Sequence, residues 1–132
     1  MLLDNKLQFY TSRFGHLEIE TDRVITFPEG LLGFPKLKRY LLLDHKDTVI
    51  KWLQSIDDPD VAFIVVEPAH LFPDFTVNID HTTKELLEIN ENNDGIVVML
   101  IIRVENDKVI ANKNGPLVFN ANLMRGIQMI NE

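Results

Sequence analysis

Between Gly95 and Arg103 the chain runs through seven consecutive apolar residues, Ile96 to Ile102, most of them β-branched. Branching at Cβ restricts χ1 in a helix and packs well on a pleated surface, so this run reads as a strand. A strand with one wet face alternates apolar and polar residues; this one is apolar at every position, which predicts burial on both faces. It falls well short of the roughly 20 apolar residues that a membrane-crossing helix needs. The pattern therefore places Ile96–Ile102 at the centre of the core, entered through a turn at Asn93-Asp94-Gly95.

Elsewhere the period is two. Leu7–Thr11, Leu17–Glu20, Val24–Phe27, Leu37–Asp44, Val49–Ile56, Phe75–Ile79, Val109–Ala111, Leu117–Phe119 and Gly126–Ile130 all read as short strands. Val61–Val66 is a second mostly apolar run, expected to pair near the central strand, and Asn106-Asp107 is expected to make a hairpin turn. Thr82-Thr83-Lys84-Glu85 has capping-box spacing, in which the hydroxyl and the carboxylate satisfy free backbone N–H groups, and it predicts one short helix near residues 82–90. The segment Pro28-Glu29-Gly30-Leu31-Leu32-Gly33-Phe34-Pro35 sets two glycines and two prolines among large apolar residues, which marks an ordered apolar loop. About nine short strands with one short helix predict a mainly β, antiparallel, barrel-like or sandwich domain. Parallel α/β is disfavoured, because its crossovers need a helix between strands.

Composition narrows the chemistry. The 132 residues fit a single domain over 1–132, with 45% apolar and 25% charged residues. No cysteine is present, so a disulfide framework, a thiolate metal site and a cysteine nucleophile are excluded, which suits a reducing compartment. The start, Met1 to Lys6, lacks the basic opening and long apolar run of a signal peptide. Thirteen basic against twenty acidic residues give a net charge of −7, which repels phosphate backbones and anionic membranes and favours a basic protein partner. His16, His45, His70 and His81 lack zinc-ligand spacing, and Asp57, Asp58 and Asp60 lack the EF-hand pattern. The Gly30/Gly33 pair matches no phosphate loop, and neither Ser12 nor Ser55 sits in a nucleophile elbow. No cofactor or metal is expected, and the residues by themselves lead to an acidic, non-enzymatic protein-binding domain. A small hydrolase would require a convergent cleft of titratable groups, and a structural subunit would self-assemble.

Ile25-Thr26-Phe27-Pro28-Glu29-Gly30-Leu31-Leu32-Gly33-Phe34 resembles the Ile-Thr-Phe-Pro-x-Gly-Leu-x-Gly-Phe run of the bacterial flagellar assembly factor FliW family. Further similarities follow in order: Trp52-Leu53-Gln54-Ser55, then Asp57-Asp58-Pro59, then Ala62 to Pro68. Asn112, Pro116 and Asn120 match an Asn-Leu-x-x-Pro-x-x-x-Asn stretch, and Gly126-Ile127-Gln128 the closing strand. Lys113 stands where the family has Leu, and Gly115 where Ala is common. The resemblance implies a small antiparallel β-barrel-like fold and a cytoplasmic protein, monomeric when free, that binds flagellin. Once released from flagellin, it would bind the RNA-binding translational regulator CsrA and relieve repression of flagellin translation. A flagellin-stabilising chaperone without the CsrA role is the alternative. On that footing Glu29, Asp57, Asp58, Asp60 and Glu67 are the candidates for meeting a basic partner. Leu31, Leu32 and Phe34, or Leu71 and Phe72, are the candidates for apolar docking.

Overall fold

In the computed structural model, which describes residues 5–90 and 95–130, ten strands and one short helix follow one another along the chain. The strands are β1 (Lys6–Thr11), β2 (Gly15–Glu20), β3 (Ile25–Thr26), β4 (Arg39–Asp44), β5 (Lys51–Ser55) and β6 (Ala62–Val66). Helix α1 (His81–Leu86) precedes β7 (Ile96–Glu105), β8 (Lys108–Ala111), β9 (Leu117–Asn120) and β10 (Arg125–Gln128). Strands β1 and β2 form a hairpin sheet of their own. The other eight run in the order β6-β5-β4-β3-β10-β9-β7-β8, and an additional pairing joins β6 to β7. That pairing closes seven strands into a ring, with β8 hanging from β7. Among the described residues every pairing is antiparallel except a single parallel bridge, Arg125 with Thr26.

The central run behaves as its composition requires. β7 pairs with β9 through residues 96–99, with β6 through 100–102 and with β8 through 102–105. Met99, with Val97 and Ile101 packed alongside, joins one core cluster with Phe27, Tyr40, Leu53, Val65, Leu117 and Phe119. Ile96 and Val98 pack on a second cluster of Leu87, Val118, Ile127 and Met129. One face of β7 and β9 thus fills the ring, and the other is covered by the segment that carries α1. The expected turn residues Asn93 and Asp94 lie outside the described residues. The turn at Asn106 and Asp107 is present, with left-handed φ of 53° and 63°, as a two-residue hairpin loop demands.

Two local expectations fail. Phe75–Ile79 alternates like a strand but pairs with nothing as one; Val77 and Ile79 instead bury their side chains directly against the second cluster. Alternation reports which residues are buried, and a covering segment can satisfy it without a ladder. The helix is capped by Asp80, not Thr82: the Asp80 carboxylate accepts the Thr83 N–H at 2.7 Å. An ionised acceptor outcompetes a hydroxyl for a free helix N–H. Glu85, expected to reach back to the backbone, pairs with His81 at 2.9 Å instead. The helix ends at Leu86 because Glu88 turns left-handed, with φ of 52°. The buried Asn120 then holds its end, donating to the Leu87 carbonyl at 2.8 Å.

Candidate docking surfaces

The apolar loop is shaped by its two glycines. Phe34 N–H donates to the Leu31 carbonyl at 2.8 Å, closing a tight turn around Leu32 and Gly33, whose φ of +86° a side chain would resist. The turn sorts the large residues by direction. Leu31 points into the core, 3% exposed. Phe34 is half-buried, edge-on to Phe63 at 5.4 Å. Leu32 is left outside at 55% exposure. Together with exposed Glu29 and with Ile127, Gln128 and Ile130, it lines a groove of about 270 Å³. Ile130 is 62% exposed.

Gln128 is the residue that holds this groove together. Its Oε1 accepts the Leu32 N–H at 2.7 Å, and its Nε2 donates to the Gly115 carbonyl at 3.0 Å. Gly115 belongs to the same turn as Lys113, which reaches a second groove of about 440 Å³ lined by Leu71, Phe72, Pro73, Asp74 and Phe75. The Lys113 ammonium lies 3.8 Å from the centroid of the Phe72 ring, a cation–π contact. A lysine where the family carries leucine thus finds an aromatic face rather than bare solvent. Glu67, exposed, immediately precedes the short turn Pro68–His70 that leads into this groove. Two hydrogen bonds through Gln128 thus tie Leu32 of the loop to the 113–115 turn, and the Lys113 cation–π contact carries on from that turn to Phe72.

The acidic turn is a separate patch, and its carboxylates have internal partners. Asp57 accepts the N–H groups of Lys38 and Arg39 at 2.9 and 3.0 Å and the Arg39 Nε at 2.8 Å. Partial burial pushes its carboxyl up, but the Lys38 amide, the Arg39 guanidinium and the Arg39 amide together hold it below the ordinary aspartate value. Asp58 accepts the Asp60 N–H at 3.0 Å, and the Asp60 carboxylate accepts the Ser12 hydroxyl. The turn thereby braces the start of β4 within the ring and ties the β1–β2 hairpin to the ring.

Asp57→Asn is expected to cost about 1–2 kcal/mol of folding stability at pH 7, because a charged acceptor of three N–H groups is lost. The folded carboxyl lies below the unfolded value of about 3.9. Its contribution is therefore present above that value and disappears as the pH falls through the folded one. Urea unfolding of both proteins at pH 7 and again in strong acid checks this: the gap closes in acid, and a gap that persists there refutes the assignment.

Gln128, Lys113 and Ile130 are among the groove residues outside the sequence-based candidates. Ile130 was legible in principle: Ile127 and Met129 are buried, so Gln128 and Ile130 share the outward face of the last strand and its extension. Among the described residues no group of three or more His, Asp or Glu is placed to hold a metal ion, and no helix is long and apolar enough to cross a membrane.

Comparison with known proteins covers nearly the whole chain. A family model described as FliW protein matches residues 8–132. The flagellar assembly factor FliW of Caldanaerobacter subterraneus subsp. tengcongensis is 35% identical over 127 residues, covering 94% of this chain and 85% of the relative. The protein of that name from Thermoanaerobacter pseudethanolicus is 36% identical over the same length and with the same coverage. That from Geobacter sulfurreducens is 32% identical over 124 residues, 92% of this chain and 77% of the relative. A crystal structure described as the flagellar assembly factor FliW superposes with a TM-score of 0.88 at 31% identity, covering 95% of this chain and 89% of that one.

Proposed function

The chain belongs to the FliW family of flagellar assembly factors, and from that premise we propose that it binds flagellin in the cytoplasm and, once released, binds and antagonises the translational regulator CsrA. It does so as a single domain over residues 1–132, monomeric when free, without cofactor, nucleic acid or membrane. Family membership carries the reading. What this chain's surface adds is a division of labour. The groove beside Leu32 and Ile130 offers exposed apolar surface for flagellin, with Leu31 and Phe34 shaping it from within and Glu29 at its rim. Leu71 and Phe72 extend that surface. The acidic residues Asp58, Asp60 and Glu67 face the basic surface that CsrA must present to RNA, and Asp57 anchors the turn that presents the first two. A net charge of −7 beside that surface repels competing phosphate.

The test is calorimetric titration against purified CsrA and, separately, monomeric flagellin, each at low and high salt. Binding to both is expected, with CsrA affinity falling as salt shortens the Debye length to about 8 Å and below. Paired charge reversal, Asp58→Lys with Asp60→Lys, is expected to weaken CsrA at least about tenfold and leave flagellin unchanged. Flagellin binding alone would reduce the protein to a flagellin chaperone. Binding to neither would overturn the reading.

A further inference from the structure

The β1–β2 hairpin is a sheet apart, and its tip is fastened to the ring at few points. Ser12 N–H donates to the Pro59 carbonyl at 3.0 Å, and the Ser12 hydroxyl donates to the Asp60 carboxylate. The Arg13 guanidinium lies 4.4 Å from the centroid of the Trp52 ring, and the Phe14 ring meets Trp52 edge-on at 5.7 Å. Trp52, on β5, is thus the platform for the tip. Among the described residues the side-chain hydrogen bond of that platform is to His45: the indole Nε1–H donates to His45 Nδ1 at 3.2 Å, with the two rings edge-on at 6.2 Å.

We infer that His45 and Trp52 form a pH-sensitive latch, which holds the hairpin tip while His45 is neutral and loosens it when His45 is protonated. An indole nitrogen can only donate, and an imidazole accepts at Nδ1 only when no proton sits there. Protonation therefore sets donor against donor and breaks the bond. It also places a second positive charge beside the ring that already carries Arg13. The His45 backbone does not share in the change. Its N–H donates to the Ile50 carbonyl at 3.1 Å, and its carbonyl accepts the Thr48 N–H at 3.3 Å and hydroxyl at 2.6 Å. The ring is the moving part.

The charged groups around it leave the added charge without a carboxylate bonded to it. Asp44 on β4 pairs with Lys51 on β5, and Arg23 from the turn after β2 acts on Asp44 as well. Lys46 and Asp47 follow in the β4–β5 turn, Arg13 stands on the tip, and Asp60 holds Ser12. None of the ion pairs among the described residues joins His45 to an acid.

Trp52 is the only tryptophan, so its indole N–H resonance reports on the latch without ambiguity. In the whole chain labelled with ¹⁵N and titrated from pH 8 to pH 5, that resonance is expected to move upfield. The exchange protection factor of the Ser12 amide is expected to fall by about fivefold, the factor that one hydrogen bond is worth. His45→Asn keeps an acceptor near the Nδ1 position but cannot take up the proton, so both readouts should stay flat. His45→Lys carries a fixed charge and should show the low-pH signature throughout. A wild-type indole resonance that does not titrate overturns the latch. So does a His45→Asn variant that titrates as the wild type does, since the proton would then sit on His16, His70 or His81.

Discussion

Gly30→Ala is expected to lower folding stability by about 3–5 kcal/mol, a large share of what a domain of this size possesses. Gly30 adopts a φ of +67°, where a side chain is strained in itself. The space is also taken: a Cβ would lie 2.4 Å from the Phe34 carbonyl oxygen and 2.7 Å from Pro35 Cα. Both are backbone atoms of the same loop, so nothing can rotate away. Gly33 supplies the control, since its φ of +86° is equally left-handed but a Cβ there meets nothing within 4 Å. Gly33→Ala should cost only the conformational strain, about 1 kcal/mol. Urea midpoints for the two variants separate the contributions. Equal losses would mean that the loop yields to the added methyl and that the packing argument is wrong.

Gly126→Ala is the second large effect, and its cause is crowding alone. A Cβ on Gly126 would stand 2.6 and 2.7 Å from Cε2 and Cζ of Phe27 and 2.9 Å from Cβ of Phe119. Phe27 is fully buried and meets Tyr40 edge-on at 5.5 Å, so its ring cannot retreat without disturbing the first core cluster. A loss of about 3 kcal/mol is expected. The diagnostic is non-additivity. Phe27→Leu should itself be destabilising, yet in the Gly126→Ala background it should cost at least about 1 kcal/mol less, because the smaller side chain vacates the contested space. Strictly additive losses would place the clash elsewhere. The same contact explains why a glycine follows Arg125 in β10: the strand must approach Phe27 closely where Arg125 bridges β3 in parallel.

How far the candidate surfaces could be read in advance depended on whether a residue's direction is set locally. Gly30 and Gly33 announce a tight turn, and a tight turn must send its large residues to different sides. Which side is core is not a local property. Leu31 and Leu32 are chemically identical neighbours, one 3% exposed and one 55%, and only the position of the ring behind the loop distinguishes them. Asp57, Asp58 and Asp60 show the same limit for charge. Composition marks a solvated acidic turn, but the amides of Lys38 and Arg39 and the hydroxyl of Ser12 arrive from distant points in the chain to engage it. Gln128 was visible as a polar residue in an apolar strand. That it ties Leu32 to Gly115 depends on contacts across 96 and 13 residues of sequence.

The sequence by itself determined the local conformations. β-branched and alternating runs dictated strands, Asn106-Asp107 dictated a hairpin, the prolines and glycines dictated the apolar loop, and unbroken apolarity from Ile96 to Ile102 dictated two-sided burial. These follow from backbone sterics and from apolar periodicity, which act over a few residues. The tertiary structure decided the closure of the ring through β6 and β7 and the parallel bridge of β3 to β10. It also decided the use of residues 75–79 as a cover rather than a strand, which of two adjacent leucines stays exposed, and which groups the aspartates of the acidic turn engage. Those outcomes turn on burial and hydrogen bonds between residues far apart in the chain. For such contacts the free energy belongs to the assembled pair, and neither residue carries it alone.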